Sequence, residues 1–116
     1  MPSELRHILF RLPEVVAAAL DHLRQRPHAE VPAGTVQRAE LLGGGSEPPA
    51  LRITFRTDAD DRRTVLDIPE EELRAALLAL CRKRCIPLPM DAAKSLSRHG
   101  ERLALVMNLT ERRAAG

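Results

Sequence analysis

The sequence predicts an α+β domain of two layers, an internally duplicated chain of strand–helix–short element–strand units. One sheet is expected, with the helices on one of its faces. Three observations predict this. The halves read alike: ILFRLPEVVAAALDHLRQRPHAEVP from Ile8 to Pro32 has a counterpart in VLDIPEEELRAALLALCRKRCIPLP from Val65 to Pro89. Each copy carries an apolar helical stripe behind a proline. Each also ends in an alternating strand, Leu51, Ile53, Phe55 in one and Leu103, Leu105, Met107 in the other.

Repeats set architecture, so they are read first. Leu12-Pro13-Glu14 answers Ile68-Pro69-Glu70. With one residue inserted, Ala18-Ala19-Leu20 answers Ala75-Ala76-Leu77, and Leu23 answers Leu80. Pro32 answers Pro89 and Gly43 answers Gly100, which gives pseudo-repeats 8–57 and 64–109 within a single domain, 1–116. The minimal order is βαββαβ, the ferredoxin-like arrangement, as a topological analogy only.

The elements follow in order. His7 to Leu12 places Ile8, Phe10 and Leu12 on one side of a strand. Pro13 and Glu14 open a helix whose stripe is Val16, Ala19, Leu20 and Leu23, and Pro27 stops it. Thr35 to Leu42 admits two readings. Val36, Ala39 and Leu42 are three apart, as on a helix, yet the segment could pair with 50–57 across Gly43-Gly44-Gly45. The repeat favours the helix. Strands 50–57 and 64–68 form a hairpin across an acidic turn. Pro69 and three glutamates begin the second helix, with the stripe Leu73, Ala76, Leu77, Leu80. Asp91 to His99 reads as a short helix, with an Asp cap and Gly100 just past its end. Leu103 to Met107 is the last strand, and 110–116 is expected to be a disordered polar tail.

Composition excludes some functions and leaves others open. At 116 residues, 44% hydrophobic and 29% charged, the chain has the balance of a soluble globular domain. Tyr and Trp are absent and Phe10 and Phe55 are the only aromatics, so aromatic stacking platforms cannot be built. Sixteen of the eighteen cationic side chains are Arg, a bias that fits a GC-rich bacterial genome. No run matches a signal peptide or a membrane-spanning helix, and two cysteines make no disulfide framework, so the expected location is the cytoplasm with no membrane partner.

Candidate chemistry is sparse. Cys81 and Cys85, four apart, would share a helix face and could ligate a metal with His99. There is no second Cys pair, and the first-copy counterparts are Arg24 and His28. The preferred reading is therefore two packing cysteines, with no metal and no cofactor. His7, His22, His28 and His99 are scattered, and no nucleophile elbow, HExxH or P-loop occurs. The cluster Asp58, Asp60, Asp61 lacks the glycine and glutamate of a calcium loop and reads as a solvated turn.

Charge is uneven. Residues 58–72 hold seven acids and two arginines, while 73–116 hold nine bases and three acids. Arg82, Lys83, Arg84, Lys94, Arg98 and Arg102 are the candidate partner-binding residues. The expected function is a small non-enzymatic interaction or structural module. It would be homodimeric or would dock an acidic protein partner through this basic patch, because one sheet face is left for polar residues or a second molecule. Nucleic-acid binding through the 82–102 cluster is the alternative, and a metal-binding or enzymatic protein using Cys81 and Cys85 the second.

Overall fold

Alternation, proline placement and turn glycines divide the chain into six strands and two helices. In the computed structural model, which describes residues 3–27, 30–57 and 59–110, these are β1 (Ser3–Arg11), α1 (Leu12–Arg24), β2 (Thr35–Leu42), β3 (Ala50–Thr57), β4 (Arg62–Ile68), α2 (Glu70–Lys83), β5 (Ala93–His99) and β6 (Arg102–Thr110). Of the expected tail, 110–116, Thr110 ends β6, while residues 111–116 lie outside the described residues, as do His28 and Asp58.

The fold is α+β, but the single sheet is corrected. Two three-stranded antiparallel sheets form, ordered β1-β6-β5 and β2-β3-β4. Each sheet joins a hairpin from one half of the chain to a single strand from the other. β1 lies beside the β5–β6 hairpin, and β4 lies beside the β2–β3 hairpin. Composition and periodicity carry no information on which strands are neighbours, so the exchange was invisible in the sequence.

Both short-helix expectations are also corrected. In β2, Val36 pairs with Phe55 and Arg38 with Thr54, so Gln37 is an extra residue in a β-bulge. The bulge puts Val36 and Ala39 on one face, three residues apart, which imitates helical spacing. In β5, Lys94, Leu96 and Arg98 alternate on the inner face. Two of those three positions are cationic, so the strand shows no apolar alternation. The Lys94 ammonium donates to the carbonyls of Pro89 and Ala92 at 2.8 and 3.0 Å, while Leu96 is buried. Long aliphatic stems can cover a core while the charge stays hydrated or hydrogen-bonded.

The helices form as the sequence predicts. Pro13 stands in the first turn of α1, where a missing N–H costs nothing, and the Arg11 N–H donates to Glu14 at 3.0 Å. Glu70, Glu71 and Glu72 occupy the first turn of α2 and Arg82 and Lys83 its last, each complementing the helix dipole. The buried stripe of α2 is Leu73, Ala76, Leu77 and Cys81, and Leu80 is only half-buried. That of α1 is Val15, Ala18, Ala19 and Leu20. These pack with Phe10, Leu51, Ile53, Phe55, Ile68, Leu103 and Leu105 into one core, and among the described residues no polar side chain is buried.

Strand pairing also shows which positions correspond. In β3, Leu51 and Ile53 pair with Ile68 and Leu66 of β4. In β6, Leu103 and Leu105 pair with Phe10 and Ile8 of β1. Phe10 thus stands where Ile68 stands, 58 positions on, and the same spacing relates Val15, Ala18 and Ala19 to Leu73, Ala76 and Leu77. Two of the ion pairs between the helix ends obey it too. Glu14 pairs with Arg84 at 3.0 Å, and Glu72 pairs with Arg26. Because each pair joins the start of one helix to the end of the other, α1 and α2 run antiparallel. The sequence match of Leu12-Pro13-Glu14 to Ile68-Pro69-Glu70 is therefore two residues out of register. The alanine–leucine match is one residue out, since a run of Ala and Leu scores well when slipped.

Candidate functional site: the outer face of the first sheet

The six residues of the predicted basic cluster are held in different ways. Arg84 is held by Glu14 across the helix pair. Lys94 is held by two carbonyls, and Arg98 donates to the carbonyls of Gly100 and Gly43 at 2.9 and 3.1 Å, tying β5 to the β2–β3 loop. Arg82, Lys83 and Arg102 make no hydrogen bond or ion pair among the described residues and are exposed. Arg82 meets Lys94 at a hollow of about 420 Å³ lined by Ile86, Leu88 and Met90. Lys83 faces a different hollow, the open groove between α1 and α2, and Arg102 starts β6. Three of the six cations are thus engaged within the fold, and the other three lie at the end of α2 and the start of β6.

The cysteines do not share a helix face. Cys81 is buried in α2, which pushes its thiol pKa up, whereas Cys85 lies beyond the helix end and is exposed. The Ile86 N–H donates to the Cys81 carbonyl and the Cys85 N–H to that of Arg82, which closes the helix in a Schellman turn. Cys85 takes the left-handed position there, φ 58°, where glycine is the usual residue. Replacing Cys85→Gly is therefore expected to stabilise the protein by about 1 kcal/mol, read as a raised denaturant midpoint. A lowered midpoint would mean that the Cys85 side chain supports the turn. Among the described residues, no three His, Cys, Asp or Glu side chains come together as a metal-binding group.

The carboxylates with displaced pKa values serve the fold. The Arg11 N–H and the Arg84 guanidinium hold Glu14 below its usual range. Arg26, with His22, does the same for Glu72, and Arg52 does so for Asp67. None of these carboxylates is paired with a nucleophile.

The two sheets differ most on their outer faces, away from the helices. On β2-β3-β4 most outer residues form a charged lattice, with Thr54 and the 54% exposed Val65 paired in its middle. Arg52 donates twice to Asp67 across the β3–β4 pair, at 2.8 and 3.1 Å, with Glu40 opposite Arg52 on β2. Arg38 reaches Glu40, and Arg56 reaches Asp61 at 2.6 Å. These exposed pairs contribute little stability each, but they make a hydrated face.

The same positions on β1-β6-β5 are uncharged. Leu9 stands where Asp67 stands, Ala104 where Arg52 stands, Leu5 where Arg63 stands and Val106 where Thr54 stands. Leu5 and Leu9 are 59% and 52% exposed. Ala104, in the centre, is fully buried under its neighbours, and the His7 and His99 rings lie 6.2 Å apart on this face. Ser95 and Ser97 complete it along β5. Cations gather only at one end, where Arg11, Arg102 and His99 share a row.

Sequence reasoning missed Leu5, His7 and Leu9 because it started the first strand at His7 and looked only for its apolar side. The available signal was a strand apolar on both faces, Ile8 and Phe10 on one and Leu5 and Leu9 on the other. Among the described residues, no helix is long and apolar enough to cross a membrane. No family model, curated protein or solved structure matches the chain.

Proposed function

We propose that the protein is a non-enzymatic interaction module that self-associates on the β1 side of the β1-β6-β5 sheet, where Leu5 and Leu9 are exposed. One observation carries this reading. Positions that hold the Arg52–Asp67 ion pair and Arg63 on one sheet hold Ala104, Leu9 and Leu5 on the other. A solvated face has no use for exposed leucines where a charged alternative fits the same backbone. Removing the remaining exposed area of one Leu side chain from water is worth about 1 kcal/mol, and a two-fold pair of chains would bury four such side chains.

The correspondence of elements, buried positions and inter-helix ion pairs supports reading the chain as an internal duplication with exchanged strands. In that reading, one of two originally similar faces became the binding face. Cys81 and Cys85 are both free thiols, which fits a reducing, cytoplasmic setting. Docking of an acidic protein is a second role, and it rests on Arg82, Lys83 and Arg102, the three of the six basic-cluster residues that make no hydrogen bond or ion pair among the described residues.

Light scattering tests self-association. The wild type is expected to rise to twice the monomer mass with concentration. Leu5→Lys with Leu9→Lys is expected to stay monomeric with an unchanged circular dichroism spectrum. A wild type that remains monomeric throughout would refute the reading.

A further inference from the structure

We propose that a second copy of this chain joins along the free edge of β1, antiparallel, about a two-fold axis at His7, so that two three-stranded sheets become one of six. This rests on the self-association reading and specifies its geometry.

The edge is suited to pairing. β1 is the terminal strand of its sheet, and its nine residues pair with β6 without a register shift. It contains no Pro and no Gly. The other sheet edges carry features that discourage pairing. β2 is bulged at Gln37, β4 is shorter, with Arg63 and Asp67 on its outer side, and β5 has two cations, Lys94 and Arg98, in the inner rows where β1 has one, Arg6. Long unbroken edges are templates for another strand, and natural proteins normally interrupt or charge them.

Edge pairing adds a backbone ladder and merges two half-sized apolar faces into one.

The register follows from the sequence of β1. Residues directly opposite in an antiparallel pair share a face, so a two-fold axis falls on a residue. An axis at Arg6 sets Arg6 against itself, and like charges directly opposite are unfavourable. An axis at Ile8 sets Leu5 against Arg11 and leaves Ser3 and Glu4 unpaired. An axis at His7 uses all nine residues. It sets Leu5 against Leu9 of the second copy, Arg6 against Ile8, Arg11 against Ser3 and His7 against His7. The leucines then meet in two cross-strand pairs on the outer face.

Disulfide trapping tests this. Directly opposite residues have Cα atoms about 4.5–5.5 Å apart, which a disulfide can bridge. In a Cys85→Gly background, where the remaining Cys81 is buried, His7→Cys is expected to convert almost wholly to a covalent dimer on mild oxidation. Ser95→Cys, in the same row of the face but on the far strand, is expected to stay monomeric on a non-reducing gel. If His7→Cys does not fold, an equimolar mixture of Leu5→Cys and Leu9→Cys reads the same register through its mixed disulfide. A dimer by light scattering in which Ser95→Cys cross-links as readily as His7→Cys, or in which neither does, overturns the edge geometry while self-association stands. A monomer at every concentration overturns both.

Discussion

Leu77→Ala is expected to cost about 2–5 kcal/mol, enough to consume much of the stability of a domain this size. Leu77 is fully buried on α2, between the helix pair and the strands, beside Leu73 and Ala76. Truncation removes the transfer free energy of its branched end and leaves a void that the surrounding side chains can fill only in part. With no Tyr or Trp and only two Phe, the core is built mostly from aliphatic side chains of similar size, so few neighbours can swing in. A reversible denaturant titration reads the loss. Leu80→Ala, at a half-buried position on the same helix, should cost clearly less. If the two variants lose equal stability, the core does not centre on the Leu73–Ala76–Leu77 stripe.

Gly34→Ala is expected to cost about 2–4 kcal/mol, although Gly34 is exposed and makes no side-chain contact. Its φ is +113°, a conformation that side chains rarely adopt. A β-carbon there would also come within 2.3 Å of the Arg56 carbonyl oxygen. That carbonyl belongs to β3, the central strand of its sheet, at the residue that pairs with Thr35. Relief would require shifting backbone, which costs more than rotating a flexible side chain. Gly45→Ala is the control. Nothing lies within 4 Å of a β-carbon at Gly45, so that variant should be neutral or slightly stabilising. Equal thermal midpoints for the two variants would show that the entry to β2 tolerates a side chain.

Both helices, the proline and glutamates at their starts, the strand pair 50–57 and 64–68, and the last strand were legible in the sequence. Each is specified by residues close along the chain. Apolar spacing and dipole-matched charges mark α2, while strict alternation around Leu51, Ile53 and Phe55 marks β3. The two segments that were misread had local signals that pointed elsewhere. A bulge at Gln37 stretched an alternation of two into a spacing of three. In β5, inward-facing Lys94 and Arg98 concealed a strand with a single buried leucine. The cysteine pair was misjudged because Cys85 lies one step past a helix end that the sequence left open, in a left-handed turn that residue type alone argues against.

The candidate site shows the same division. The basic residues were visible as a run of charge, but only the structure shows Arg84, Lys94 and Arg98 engaged by Glu14 and by backbone carbonyls. The apolar face was not visible because Leu5, Leu9, Ala104 and Val106 come from opposite ends of the chain, and β1–β6 pairing is what brings them together.

By itself, the sequence determined the helices and most strands, and a core without Tyr or Trp. These depend on periodicity and end signals within roughly twenty residues, the range over which local sterics and amphipathic burial act. The tertiary structure alone decided that each sheet takes strands from both halves of the chain, that positions of β1–α1 and β4–α2 correspond at a spacing of 58, and that one outer face is ion-paired while the other is largely uncharged. Those outcomes depend on which strand edges satisfy one another's hydrogen bonds, and residues far apart in the chain settle that only when they meet.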